Sequence, residues 1–152
     1  MDKATFLQRM EHSRLELETA IARLSNEEVL QPGASGEMSV KDMLVHITWH
    51  EQQMIGVIEH MALAGSPWWG LPTDERNALI FAANRERGWQ DVLSEAQTVY
   101  PRLLGLLEGL AETAYQDPSL YREMPADWAP WVVFAGNTFE HYEHHLRDMQ
   151  DG

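Results

Sequence analysis

The chain has no cysteine in its 152 residues, and that absence removes several chemistries. It excludes a disulfide framework, a thiolate zinc site, an iron–sulfur cluster and a cysteine nucleophile. Chains without disulfides are typical of the cytoplasm, and a cytoplasmic location is the expectation. Long apolar runs are missing too: none approaches the roughly 20 residues of a spanning helix, so no membrane partner is expected. The opening MDKATFLQRMEHSRLELE is broken by charges and has the pattern of neither a signal peptide nor a span. Bases are scarce: 11 against 24 acids, a net charge of −13 with His neutral. They are scattered from Lys3 to Arg147 rather than gathered on one segment, so no nucleic-acid partner is expected. Alternating β-branched runs and internal repeats are absent, and the one Gly-rich piece lacks phosphate-loop spacing.

What is present is helical pattern. An apolar content of 44% argues against disorder, and the length fits one domain spanning 1–152. Leu7, Met10, Leu17, Ile21 and Leu24 mark one face of a first helix over 3–24, with Arg14 breaking the stripe. Ser25 to Glu28 and Ser39 to Asp42 read as capping boxes, the second opening a long helix that runs to about Ala64. Residues 65–72 hold two Pro and two Gly and predict a loop. Thr73 is expected to cap a short helix through Ala78, Phe81 and Ala82 that ends near Gly88. A third long helix covers about 90–110, and a last one runs from about Val132 to Met149. The fold class is all-α, with four long helices and one or two short ones.

Seven His in so acidic a chain are the feature that bears on chemistry. His46 and His50 lie four apart on the second long helix, and His141 and His145 lie four apart on the last. Residues four apart are separated by only about 40° and one turn, so two imidazoles can converge on one ion about 2.0–2.1 Å from each. Helix bundles host metals in this way, with ligands on facing helices. The plainer alternative is that such pairs are solvated surface residues. His12 and His60 stand alone and are expected at the surface or in the core. His144 points about 60° away from His141 and is expected beside the site or at the surface. Trp49, Trp128, Trp131 and Tyr142 either seal the end of the bundle or wall an apolar pocket over the His cluster. No catalytic nucleophile or acid–base pair stands out.

Two motifs carry a resemblance. Gly36-Glu-Met-Ser-Val-Lys-Asp-Met-Leu-Val-His-Ile-Thr-Trp-His-Glu51 resembles the second-helix motif of DinB/YfiT-like proteins, above all the DfsB/ClbS branch. Asn137-Thr-Phe-Glu-His-Tyr-Glu-His-His-Leu-Arg-Asp-Met149 resembles that branch's last-helix motif, and residues 76–87 its crossover helix. The resemblance implies a four-helix bundle with a long crossover between the second and third main helices. It also implies a divalent metal site, Zn or Ni by ligand type, formed by His46, His141 and His145. His50 departs from the branch's pattern and is an additional candidate ligand. Glu51, Glu140 and Asp148 are candidates to orient a ligand imidazole.

The functional expectation is a metal-dependent hydrolase or thiol transferase acting on a small reactive molecule, with a low-molecular-weight thiol as a candidate partner. The alternatives are a metal-free, ClbS-like self-protection protein that binds a reactive small molecule, or a non-catalytic structural bundle. A homodimer is expected, chiefly from the resemblance and in part from Trp residues at exposed positions.

Overall fold

Asp2 starts the first helix: its side chain accepts from Thr5 N at 2.7 Å, and α1 runs Lys3–Ala22. The computed structural model describes residues 1–151. Phe6, Met10, Leu17 and Ile21 form the buried stripe of α1, and Arg14 is buried with them. Ser25 and Glu28 exchange reciprocal bonds of 3.1 Å, and a short 3₁₀ turn, Glu28–Leu30, follows. Gly33 and Gly36 take φ values of 104° and 61° in the next loop, a region that favours glycine.

Helix α2, Val40–His60, begins on the Ser39/Asp42 capping box and is buried on nearly every side. It stops at Met61, whose φ is 46°. The crossover then carries a 3₁₀ turn, Pro67–Gly70, and α3, Thr73–Asn84. Here Pro72 holds the capping position, and Thr73 is the first helical residue with no side-chain cap bond, contrary to expectation. Ile80 is the buried residue of α3; Ala78, Phe81 and Ala82 face outward. Helix α4, Trp89–Gly109, continues past Pro101, which sits on the exposed face and so does not disturb the buried stripe of Val92, Ala96, Val99, Leu103 and Leu107. Three short pieces follow: α5, Thr113–Gln116; a 3₁₀ turn, Pro118–Leu120; and α6, Pro130–Gly136.

The last long helix is the chief departure from the sequence pattern. The stretch expected as one helix over 132–149 is two, α6 and α7, Phe139–Asp151. Asn137 Nδ2 donates to Val133 O at 2.8 Å, and Thr138 Oγ1 donates to Phe134 O at 2.7 Å. Side chains that bond backward in this way compete with helix continuation, and Gly136 beside them disfavours it further.

Helix α1 packs on α7 and α2 packs on α4, while contacts of α1 with α4 and of α2 with α7 close the ring. The architecture is therefore a four-helix bundle, with α3 laid on α2 by the long crossover. One continuous buried cluster includes residues of all seven helices. No strand occurs among the described residues, and no helix is long and apolar enough to cross a membrane. Of the six Trp, only Trp128, at 45%, is exposed; the others are half-buried against the core, which removes the Trp argument for a dimer.

Candidate functional site

The contact of α2 with α7 brings both His pairs together. Ring centroids of His46 lie 4.7 Å from those of His50 and His141 and 5.2 Å from that of His145. His50 and His141 are also 4.7 Å apart, and His141 and His145 4.6 Å. His46, His50 and His145 are buried, each at most 6% exposed. His46, His50 and His141 can each offer a nitrogen so that all three lie within 4.8 Å of one another.

Hydrogen bonding alone does not account for this geometry. His141 Nε2 lies 2.9 Å from His46 Nε2 and 3.0 Å from His145 Nε2. A ring nitrogen has one in-plane position, holding a proton or a lone pair, so His141 Nε2 can satisfy only one of these neighbours. His46 Nδ1, His141 Nδ1 and His50 Nε2 are buried without any partner.

Two of the tautomers are fixed by their neighbours. Ser35 Oγ donates its hydrogen to Asp148 Oδ2 at 2.6 Å, so at 3.1 Å it must accept from His145 Nδ1–H. That leaves a bare lone pair on His145 Nε2, beside His141. Asn137 is oriented by its bond to Val133 O, so its Oδ1 accepts from His50 Nδ1–H at 2.8 Å. His50 Nε2 is then bare as well. Such partners fix ligand tautomers in metal sites, and converging imidazole lone pairs suit a borderline cation. The residues present fit a divalent metal ion.

Protonation of the cluster is disfavoured as well. Burial, and then the charge of its neighbour His50, push His46 down to about 2. Burial pushes His50 down to about 4 and His145 also to about 4. His141 lies well below the ordinary histidine value for the same first cause. At neutral pH all four imidazoles are uncharged, as ligation requires.

A cavity of about 410 Å³ opens over the cluster, lined by Ser35, Gly36, Met38, Thr73, Arg76, Asn77, Gly136 and all four imidazoles, with His144 at its margin. The expected aromatic walls are elsewhere. Trp49, Trp128, Trp131 and Tyr142 do not line it. Tyr142 follows His141 by about 100° around α7 and so turns inward, donating to Glu51 Oε2 in the core. Trp49 flanks His50 edge-on at 4.9 Å. A cavity of about 400 Å³ between α1 and α4, with Arg14, Trp89 and Leu93 in its wall, contains no cluster of ligating groups.

The carboxylates named from sequence separate clearly. Asp148 reaches His145 through Ser35 and lies 3.7 Å from its Nδ1 directly. Glu140 is exposed. Glu51 is fully buried and binds Arg14 Nη1 at 2.7 Å and the Tyr142 hydroxyl, not an imidazole. His144 is 61% exposed at its side chain and 3.6 Å from Asp148. His12, 72% exposed at its side chain, and His60 lie at the surface, away from the cluster.

A family model described as the DinB superfamily matches residues 9–149. The chain belongs to the DinB superfamily. Three solved structures share its fold over 99% of the chain. An uncharacterised protein from Escherichia coli UTI89 matches with a TM-score of 0.81 and 16% identity, over 91% of its own length. DfsB, described as a sibling lethal factor precursor, matches with 0.82 and 9% identity, over 94%. ClbS, a colibactin self-resistance protein solved in complex with double-stranded DNA, matches with 0.81 and 10% identity, over 94%. No curated protein matches the chain.

In this DinB-superfamily chain, sequence reasoning overlooked Ser35, Asn137, Arg76 and Asn77. Asn137 had a local signal, since a Gly-Asn pair inside an apparent helix marks a break. Ser35, Arg76 and Asn77 come from the loop and the crossover, and only tertiary packing brings them to the His cluster.

Proposed function

We propose that this DinB-superfamily chain is a metal-dependent enzyme that acts on a small reactive molecule by hydrolysis or by transfer to a thiol. The observation that carries this reading is the approach of His141 Nε2 to both His46 Nε2 and His145 Nε2, which no arrangement of protons satisfies. His46, His141 and His145 would hold a divalent ion, Zn or Ni by ligand type, and His50 Nε2 adds a fourth nitrogen. Bound there, the ion supplies Lewis acidity that polarises an electrophile and lowers the pKa of a nucleophile. The chain's own groups do the positioning. Asp148 and Ser35 hold His145 in its ligating tautomer, and Asn137 does the same for His50. Neutral imidazoles leave the ion's charge intact for the substrate.

ClbS was solved with double-stranded DNA. Here 24 acids face 11 bases, so we infer a small-molecule substrate rather than a duplex.

The test is elemental analysis of protein purified without added metal, beside a His141→Ala variant. Near-stoichiometric metal in the wild type and its loss in the variant are expected. Negligible metal in both, persisting after incubation with Zn²⁺ or Ni²⁺, would sink the proposal.

A further inference from the structure

The cavity over the imidazoles has a charge composition unlike the rest of the molecule. The chain holds 24 acids, yet no carboxylate lines this cavity among the described residues. Its one formally charged lining group is Arg76, on the first turns of α3.

Arg76 is tethered but not neutralised. Its Nη1 donates to Trp69 O at 3.3 Å, and no carboxylate pairs with it among the described residues. Its Nε is buried and has no acceptor. Withdrawal from water works against its charge. Nearby, Asn77 Oδ1 is also buried without a partner. A buried donor with no acceptor is destabilising, and with no carboxylate beside it the Arg76 charge is uncompensated until an anion enters the cavity.

The guanidinium geometry narrows the point of contact. With Nε enclosed and Nη1 turned to Trp69 O, Nη2 is the nitrogen left to donate to an anion entering the cavity, and a charge-assisted bond from it suits a carboxylate oxygen. Arg76 and the four imidazoles line one cavity, so a single small molecule can reach both.

We propose that Arg76 is a specificity-determining residue that binds the carboxylate of a small acidic substrate, whose reacting end lies at the four imidazoles. Asn77 supplies a neutral hydrogen-bonding group on the same wall. The site thus selects a bifunctional molecule: an oxyanion at one end, and a group that ligates or is activated by the ion at the other. This inference rests on the metal-site reading for what happens at the imidazole end, but not for the carboxylate contact itself.

The experiment compares two probes that differ at one end only, 3-mercaptopropionate and 3-mercaptopropan-1-ol. Binding is followed by tryptophan fluorescence, to which Trp69 beside Arg76 contributes, and by calorimetry. Wild type, Arg76→Met and Arg76→Lys are titrated after Zn²⁺ loading and again after chelation, with metal content and circular dichroism recorded for each. The wild type is expected to bind the acid at least tenfold more tightly than the alcohol. Arg76→Met should erase that preference while metal content and affinity for the alcohol stay unchanged, and Arg76→Lys should retain only part of it. Equal affinities in the wild type, a preference surviving in Arg76→Met, or no saturable binding of the acid in either form would overturn the proposal. If no metal is taken up but an Arg76-dependent acid preference persists, the carboxylate site stands and the metal reading fails.

Discussion

Asn137 Oδ1 accepts from His50 Nδ1 at 2.8 Å, across the junction where the last helical stretch is broken in two. The break is what allows it, because a continuous helix through 137 would leave that side chain no reason to bond Val133 and turn toward α2. Asn137→Ala is therefore expected to weaken metal affinity about 10–100-fold, the usual effect of removing a partner that orients a ligand. Asn137→Asp, which can still accept from Nδ1, should stay within a few-fold of wild type. Chelator competition measures both. Equal affinity in all three proteins would show that this bond does not orient a ligand.

Chelation should destabilise the protein. An ion that binds only the folded state contributes about 4 kcal/mol when present at a thousand times Kd. For a chain of this size that corresponds to a fall in Tm on the order of 10 °C. His46→Ala and His141→Ala should each abolish the shift, since one residue stands on α2 and the other on α7. His12→Ala and His60→Ala, both at the surface, should leave it intact. Differential scanning calorimetry with and without chelator decides between these outcomes.

Acid should unfold the chelated protein through the same imidazoles. The unfolded values lie near 6.5, whereas His50 and His145 fall to about 4 and His46 to about 2 in the fold. Between those values the unfolded chain binds more protons, so stability rises with pH. Their contribution is present in full above about 6.5 and is lost progressively as pH falls toward 4. Replacing His50 by Gln should flatten the slope of stability against pH in that window, as read by urea denaturation at stepped pH. An unchanged slope would mean that His50 is not buried neutral.

The bundle and its two His pairs were legible because both depend on local spacing. Capping boxes at Ser25 and Ser39, three–four apolar stripes and i, i+4 histidines are written within a few residues of one another. What held the site in place was not local. Ser35 meets Asp148 across 113 positions, and His50 meets Asn137 across 87. Trp49 and Tyr142 are aromatic neighbours of ligand candidates in sequence, but a step of one residue around a helix turns a side chain to another face. That rotation took Tyr142 into the core and Trp49 off the cavity wall. The acidic chain also concealed the carboxylate-free lining of the cavity over the imidazoles, since composition says nothing about where charge is missing.

Arg14, which looked like a flaw in the apolar stripe of α1, is the best place to test the core behind the site. Its Nη1 donates to Glu51 Oε2 at 2.7 Å, its Nε donates to Glu18 at 3.0 Å, and its guanidinium lies 4.4 Å from the Tyr100 ring centroid. Burial opposes its charge, but the carboxylates of Glu51 and Glu18 outweigh that and raise its pKa. Burial pushes the Glu51 carboxyl up, against the pull of Arg14 and the Tyr142 hydroxyl. Removing one partner of such a pair leaves a buried charge and costs about 3–5 kcal/mol, whereas replacing both with groups of similar volume is often neutral. Arg14→Met alone should therefore destabilise the bundle by several kcal/mol, and Arg14→Met with Glu51→Gln by much less. Because Glu51 follows His50 and Tyr142 follows His141, the single variant should also lower metal affinity, while the double variant recovers most of it. Urea melts and chelator titrations on the two singles and the double give the coupling energy directly. A coupling near zero would mean that the pair is incidental to the packing of α1 against α2 and α7, and that the imidazoles are held without it.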